Sequence, residues 1–345
     1  MRILIDIGHP GHVHLFKNFA LEMQKKDHEI LFTCRDKEFE IVLLKKYGFK
    51  FKCFGKHYKS KIGKIRGLLK FDYQMLKTAL RFKPDVFLSH GSMYAAHASF
   101  IIRKPHIALE DSENMEQIRL YKPFSEVVLT PDAIPKKYGK KQVRYNGFHQ
   151  SAYLHPKYFK KNSNYKSQLG LNSNDKVFLL RLVALNASHD FNLTSICNED
   201  LFSLIDYLKE RGHVFISSEK EILKELEQYR LVIPPEEIHD FIAICDLVIG
   251  ESGVMTSEAG YLGIPNVLIV DLDLNVHRRY SELGLKFHFR DLNDITLEEI
   301  KKIVANIEAI KLSYQNNANL LVEDSIDLTK YMVDLVVSNY ENKIN

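Results

Sequence analysis

Short apolar runs alternate with stretches of helical periodicity along almost the whole of this 345-residue chain. Arg2 to Asp6, Glu29 to Thr33, Phe51 to Phe54, Val86 to Ser89, His106 to Leu109 and Val127 to Thr130 read as strands, and Val13 to Lys25, Asp36 to Tyr47, Ile62 to Phe82 and Tyr94 to Ile102 as the helices between them. This alternation predicts an α/β fold with parallel sheets. It resumes with strands at Val177 to Arg181, Val214 to Ser217, Leu247 to Ile249 and Asn266 to Val270, and ends with helices at Glu298 to Ile310 and Ile326 to Asn339. Between the two series, His149 to Asp175 lacks an apolar core pattern and contains Pro156 and the polar run Lys161-Asn162-Ser163-Asn164. A linker is expected there, dividing the chain into domains at 1–155 and 165–325, with 326–345 a terminal helix that can cross back to the first domain.

Composition narrows the function classes. A net charge of +4 is too mild to argue nucleic-acid binding. Cys34, Cys53, Cys197 and Cys245 show no Cys-x-x-Cys spacing, so neither a zinc cluster nor a disulfide framework is indicated, and all four are expected as buried small hydrophobes. The opening apolar stretch is too short for a signal peptide and no run approaches a membrane span, which predicts a cytoplasmic protein. Lys50 to Lys70, however, holds eight Lys/Arg residues and no carboxylate, interleaved with apolar residues. Such a segment is either a solvated loop and helix or a contact with an anionic membrane surface, which would make the protein peripheral on the inner face of the plasma membrane.

Open parallel sheets bind ligands beyond the carboxyl ends of their strands. After the first strand comes Asp6-Ile7-Gly8-His9-Pro10-Gly11-His12-Val13-His14. Its Gly8-x-x-Gly11 spacing lacks the dinucleotide Gly-x-Gly-x-x-Gly, so no nicotinamide or flavin cofactor is expected. His9 and His12 precede the expected helix while His14 lies within it, and no nearby Cys or paired carboxylate completes a metal site. Ser89-His90-Gly91-Ser92 follows another strand, and Glu110-Asp111-Ser112-Glu113-Asn114 the next, three carboxylates where a turn needs fewer. In the second half, Arg181 ends an apolar strand and can pair with a phosphate, while Ser188, His189 and Asp190 either cap a helix or line a cleft. Finally, Leu247-Val248-Ile249 runs into Gly250-Glu251-Ser252-Gly253-Val254. A strand entering Ser-Gly and then a helix turns backbone N–H groups and a helix N-terminus toward an anion, with Glu258 about one turn further in, within reach of a ribose hydroxyl. A strand-to-helix turn of any α/β protein uses Ser-Gly as well.

The last stretch resembles the nucleotide-sugar site of the GT-B superfamily, which includes UDP-N-acetylglucosamine 2-epimerases and MurG-type glycosyltransferases. The epimerase pattern Asp-Ser-Gly-Gly-x-x-Glu-Glu-Ala, then Leu-Gly-x-Pro, is similar to Glu251 to Ala259 and Leu262-Gly263-Ile264-Pro265 without a gap, except that Val254 replaces the second glycine. The resemblance implies two Rossmann-like domains whose parallel sheets face an interdomain cleft. It also implies that Ser252, Gly253 and the Val254 amide hold phosphate and that Glu258 holds ribose; Arg181, a charge ending an apolar strand, and His189 are read from their own positions as cleft residues. Gly11-His12-Val13 resembles the Gly-His-Val of the MurG-type enzymes, which makes His12 a candidate general base; Gly8, His9, Gly11 and Ser92 fall on the acceptor side. Glu110 matches an epimerase glutamate, with Asp111 beside it as a further acid/base candidate. The epimerase aspartate is Ser92 here, and the epimerase Thr-Gly-His-Arg is Leu180-Arg181-Leu182-Val183, which counts against a 2-epimerase. The whole pattern resembles the domain of unknown function 354 group. These resemblances imply a metal-independent glycosyltransferase with a UDP-sugar donor and a saccharide or lipid-linked acceptor, in cell-envelope or exopolysaccharide assembly. The alternatives are a nucleotide-sugar epimerase or hydrolase, or a non-catalytic nucleotide-sugar-binding protein.

Overall fold

The computed structural model describes residues 1–56, 61–183 and 196–340, without the side chains of 61–66 and 198. The chain divides into two compact units, Met1–Tyr158 with the stretch that begins at Ser325, and Phe159–Asp324.

The first unit runs β1 (Arg2–Asp6), α1 (Pro10–Gln24), β2 (Glu29–Asp36), α2 (Glu40–Lys46), β3 (Phe51–Lys56), α3 (Lys61–Phe82), β4 (Val86–His90), α4 (Met93–Ile101), β5 (His106–Leu109), α5 (Met115–Tyr121), β6 (Val127–Pro131) and β7 (Gln142–Tyr145). All seven strands are parallel, in the order β3-β2-β1-β4-β5-β6-β7. Ile3, Leu4 and Ile5 of β1 are fully buried, because a central parallel strand is covered on both faces and its sequence becomes a continuous apolar run. Helix α1 buries Val13, Phe16, Phe19 and Met23 at helical spacing.

The second unit runs α6 (Tyr165–Gln168), β8 (Val177–Leu182), α7 (Asn198–Lys209), β9 (His213–Ser218), α8 (Ile238–Ile244), β10 (Leu247–Gly250), α9 (Gly253–Tyr261), β11 (Asn266–Ile269), α10 (Asn275–Glu282), β12 (Phe287–Phe289), α11 (Asp294–Ala305) and α12 (Ile307–Asp324). Its five strands are parallel, in the order β12-β11-β10-β8-β9. Helix α13 (Leu328–Tyr340) belongs to the first unit, where Thr329 Oγ1 donates to the Ala152 carbonyl at 2.8 Å. Each sheet changes its direction of growth once, between β1 and β4 and between β8 and β10. Such switch points open a crevice at the carboxyl ends of the strands.

Several expectations need correction. Residue Asp36 ends a strand instead of starting a helix, because its pairing with Lys56 keeps this stretch extended. The helix expected from Val13 begins at Pro10, so His12 lies inside it; His9 is its N-cap, with Nδ1 accepting from the Gly11 amide at 3.1 Å. The single helix expected over Glu298 to Ile310 is two, separated at Asn306, whose side chain donates back to the Lys302 carbonyl at 2.9 Å. His149 to Leu154, read as coreless, are all buried. Asn18 and Thr329, from α1 and α13, both donate to the Ala152 carbonyl at 2.8 Å and hold this polar segment between the two helices. Cys197 is exposed and caps α7, its sulfur accepting from the Asp200 amide at 3.4 Å, and Cys53 is half-buried.

Candidate functional site

In the first unit the carboxyl ends of β1, β4 and β5 carry two linked clusters. The Asp6 carboxylate, buried at the end of β1, accepts from Thr33 Oγ1 at 2.7 Å, from Arg35 Nη1 at 2.7 and 2.8 Å, and from Ser92 Oγ at 2.5 Å. Burial opposes the Arg35 charge, but Asp6 more than compensates and raises its pKa. Ser92 also caps α4, accepting from the Ala95 amide at 3.2 Å. Gly8 lies against Arg35, whose Nη2 would be 2.9 Å from a Cβ there. The cluster is a rigid frame with every strong acceptor engaged.

The second cluster is titratable. Asp111 Oδ1 meets His90 Nε2 at 2.9 Å and its Oδ2 meets His149 Nδ1 at 2.8 Å. The His12 ring stacks on His90, centroids 4.4 Å apart. Burial works against the Asp111 charge, but His149 and His90 overcome it and hold its pKa well below the usual carboxylate range. Burial also opposes protonation of His90, and the hydrogen bond and charge of Asp111 outweigh it and raise its pKa. His12 goes the other way: burial, then the neighbouring His90 and His9, push its pKa well down. A neutral His12 therefore stacks against a ring that favours its cationic form.

The His12 tautomer follows from its partner. Its Nδ1 accepts the Gly8 amide at 3.2 Å, so Nε2 carries the ring hydrogen and presents a donor. The Glu110 carboxylate is occupied locally: Oε1 takes the Ser112 amide at 2.7 Å and its hydroxyl at 2.6 Å, and Oε2 takes Tyr121 Oη at 2.5 Å. Asp111 keeps 27% of its side-chain surface exposed, which makes it the accessible carboxylate of the two. His90 and His149 were not singled out from sequence. His90 is the last residue of β4, a position that points to the switch crevice, whereas His149 sits in the segment read as a linker and gave no signal. The ligating atoms of His90, Asp111 and His149 lie within 4.8 Å of one another, a donor set that fits a metal ion by type; hydrogen bonds alone also satisfy both carboxylate oxygens.

In the second unit the switch point lies between Arg181 and Gly250. A Cβ on Gly250 would come within 2.1 Å of the Arg181 carbonyl, so only glycine lets β10 end this close to β8. Arg181 Nη1 donates to Ser217 Oγ at 2.9 Å and its Nη2 pairs with Glu219. Glu251, which follows β10, accepts the Val183 amide at 2.9 Å and the Ile196 amide at 2.8 Å. His189, like Ser188 and Asp190, lies outside the described residues. Ser252 caps α9, its Oγ accepting from the Met255 amide at 3.3 Å and its carbonyl from the Thr256 amide at 3.1 Å. Among the described residues no acceptor takes the Gly253 or Val254 amide. The Val254 side chain is 46% exposed and turns away from the core. Glu258 is buried, with Oε1 3.1 Å from His239 Nε2.

A family model described as a protein of unknown function, DUF354, matches residues 1–340. The chain belongs to this family. No curated protein matches it by sequence. Among solved structures it is similar to the UDP-GlcNAc 2-epimerase from Neisseria meningitidis bound to UDP-GlcNAc, with a TM-score of 0.74 at 16% identity over 98% of this chain and 100% of that one. It is also similar to a Staphylococcus aureus MnaA–UDP co-structure, TM-score 0.71 at 15% identity, covering 99% and 97% of the two chains. The spinosyn rhamnosyltransferase SpnG matches with a TM-score of 0.58 at 13% identity over 99% and 100%. At these identities the likeness is one of fold: this DUF354 chain shares the two-unit GT-B architecture.

Proposed function

We propose that this DUF354 protein is a metal-independent glycosyltransferase that takes a nucleotide-sugar donor, UDP-linked, and a saccharide or lipid-linked acceptor. The observation that carries this reading is the half-buried Asp111 carboxylate held by two imidazoles beside a neutral His12, an acid/base device at the carboxyl ends of a parallel sheet. Because the two imidazoles leave Asp111 a weak base, it takes the proton of the acceptor hydroxyl late, as the bond to the sugar forms and the hydroxyl becomes acidic; His12, donating from Nε2, orients that hydroxyl. The second unit binds the donor. Ser252 and the Gly253 and Val254 amides receive the diphosphate at the start of α9 and stabilise it as it leaves, and Glu258 receives the ribose. The Neisseria relative is bound to UDP-GlcNAc, which supports a donor of that class. Arg181, already paired with Glu219, reaches phosphate only by leaving that partner.

The acceptor side includes Gly8, His9, Gly11 and Ser92, and the assignment to cell-envelope or exopolysaccharide assembly rests on the basic Lys50 to Lys70 segment as a contact with anionic lipid. The residues at 57–60 of this segment lie outside the described structure, and no helix among the described residues is long and apolar enough to cross a membrane. Flotation with anionic vesicles tests this contact; protein that stays unbound removes it.

A second reading, a nucleotide-sugar epimerase or hydrolase, is favoured by the ungapped Ser252 to Ala259 pattern. NMR of the purified protein with a panel of nucleotide-sugars and no acceptor separates the two. Saturable binding of an inert donor supports the transferase; change at the sugar or release of UDP supports the epimerase or hydrolase. Failure of every nucleotide to bind sinks both.

A further inference from the structure

Two imidazoles and a carboxylate converge from three separate segments at the carboxyl ends of the first sheet. His90 closes β4, Asp111 follows β5, and His149 opens a single turn, His149–Ala152, beyond β7. That turn is fixed at its far end, where the Ala152 carbonyl accepts from Asn18 of α1 and Thr329 of α13. One atom from each of the three side chains lies within 4.8 Å of the other two, and the nitrogen–oxygen contacts to Asp111 are 2.9 and 2.8 Å. Ligand atoms around a tetrahedral zinc ion stand on the order of 3.3 Å apart, given bonds of about 2.0–2.1 Å. An ion would spread the two contacts slightly and draw the imidazoles together, and short side-chain rotations supply both.

Hydrogen bonding does not account for the whole cluster. The His149 side chain is 6% exposed, its Nδ1 meets Asp111, and its Nε2 is buried with no hydrogen-bond partner among the described residues. A buried polar atom left unmet is uncommon in a folded protein, and an ion site is one of its few explanations. Of the three side chains the carboxylate is the most open to solvent, so an ion can enter on that side and keep water in its remaining positions. The donor types select the ion: two imidazole nitrogens with one carboxylate oxygen suit zinc and its transition-metal neighbours, whereas magnesium and calcium prefer oxygen ligands.

We propose that His90, Asp111 and His149 bind a zinc-class divalent cation, and that the ion acts as an inhibitor: with the Asp111 charge committed to the metal, the carboxylate no longer takes the acceptor's proton. The binding stands on the donor geometry; its effect on transfer rests on the transferase reading above, in which the reaction itself uses no metal. Zinc is expected to suppress transfer and a chelator to restore it.

The test follows zinc by calorimetry and cobalt by its visible absorption, on wild-type protein and on Asp111→Asn, His149→Gln and His97→Ala. His97, which meets Asp72 at 3.1 Å, stands outside the cluster and controls for histidine–carboxylate pairs elsewhere. Wild-type protein is expected to take one zinc ion, to give the intense visible bands of low-coordinate cobalt, and to hold zinc against an excess of magnesium. Loss of a ligand should weaken zinc by more than the roughly 10- to 100-fold typical of changes behind a ligand, while His97→Ala binds as the wild type does. Wild-type protein that takes no zinc, unchanged affinity in Asp111→Asn and His149→Gln, an equal loss in His97→Ala, or displacement by magnesium each overturns the site. Should the variants not fold, nitrogen-15 spectra of the wild type decide: ring nitrogens of His90 and His149 that shift together on zinc addition support the site, and unmoved ones overturn it. UDP binding, measured on the same protein free of zinc, tests the nucleotide reading separately. Zinc uptake without UDP binding keeps the site and removes the transferase; UDP binding without zinc uptake does the reverse.

Discussion

Asp111 meets His90 at 2.9 Å on one carboxylate oxygen and leaves its other oxygen to His149 at 2.8 Å. The contact ties the ends of two adjacent strands, β4 and β5, through charge, and it lowers the carboxylate pKa while raising that of the imidazole. Asp111→Asn keeps the shape and removes the charge. Transfer is expected to fall by about 10²-fold or more, with donor affinity unchanged, as measured by initial rates against binding isotherms. Full transfer in this variant would discard Asp111 as the base.

His12→Ala removes the donor that orients the hydroxyl. Its expected signature is a lowered kcat with an acceptor KM that rises, while UDP affinity stays put, because His12 lies in the unit without the α9 motif. If transfer is untouched, His12 is only a packing residue against His90.

The Asp6–Arg35 contact is structural. Asp6→Ala strands a guanidinium whose side chain is 11% exposed. Removing one partner of a buried pair costs about 3–5 kcal/mol. Urea unfolding should show a loss of this size, and replacing Arg35 by Met in the same chain should recover part of it. A loss under about 1 kcal/mol contradicts the buried-pair reading.

His106, fully buried between the hydroxyls of Ser89 at 2.8 Å and Ser125 at 2.9 Å, has its pKa lowered to about 3, chiefly by burial and then by His97. The unfolded chain takes up a proton below its ordinary value of 6.5, which the folded chain refuses until about 3. Stability should therefore fall as pH drops through that window, by up to about 1.4 kcal/mol per pH unit from this group. His106→Gln should flatten that part of the pH–stability curve; an unchanged slope between the two forms argues that other groups govern acid unfolding.

Glu258 lies in α9 with Oε1 3.1 Å from His239 Nε2. If it holds the ribose, Glu258→Gln weakens UDP binding but has little effect on 2′,3′-dideoxy-UDP. A uniform loss for both ligands assigns Glu258 to His239 and the fold instead.

The apolar runs of β1, β4, β8 and β10 were legible because a strand covered on both faces must be apolar throughout, and that is a local property of the sequence. The short elements β7 and β12 and helices α5, α8 and α10 were not, since a few residues carry too little periodicity to stand apart. The Ser252-Gly253 turn into a helix was readable for the same local reason, whereas the capping of the Met255 amide by the Ser252 hydroxyl came with the structure. Partner choice was not readable either. The sequence by itself determined the parallel α/β class, the strand ends where polar residues gather, and the Ser-Gly motif. Only the tertiary structure decided that Glu110 turns to Ser112 and Tyr121 while Asp111 meets His90 and His149, and that Lys286 reaches His277 beside Gly253. Those contacts join residues from separate elements, and which side chains meet is fixed by strand order and helix packing, quantities that no local window of sequence contains.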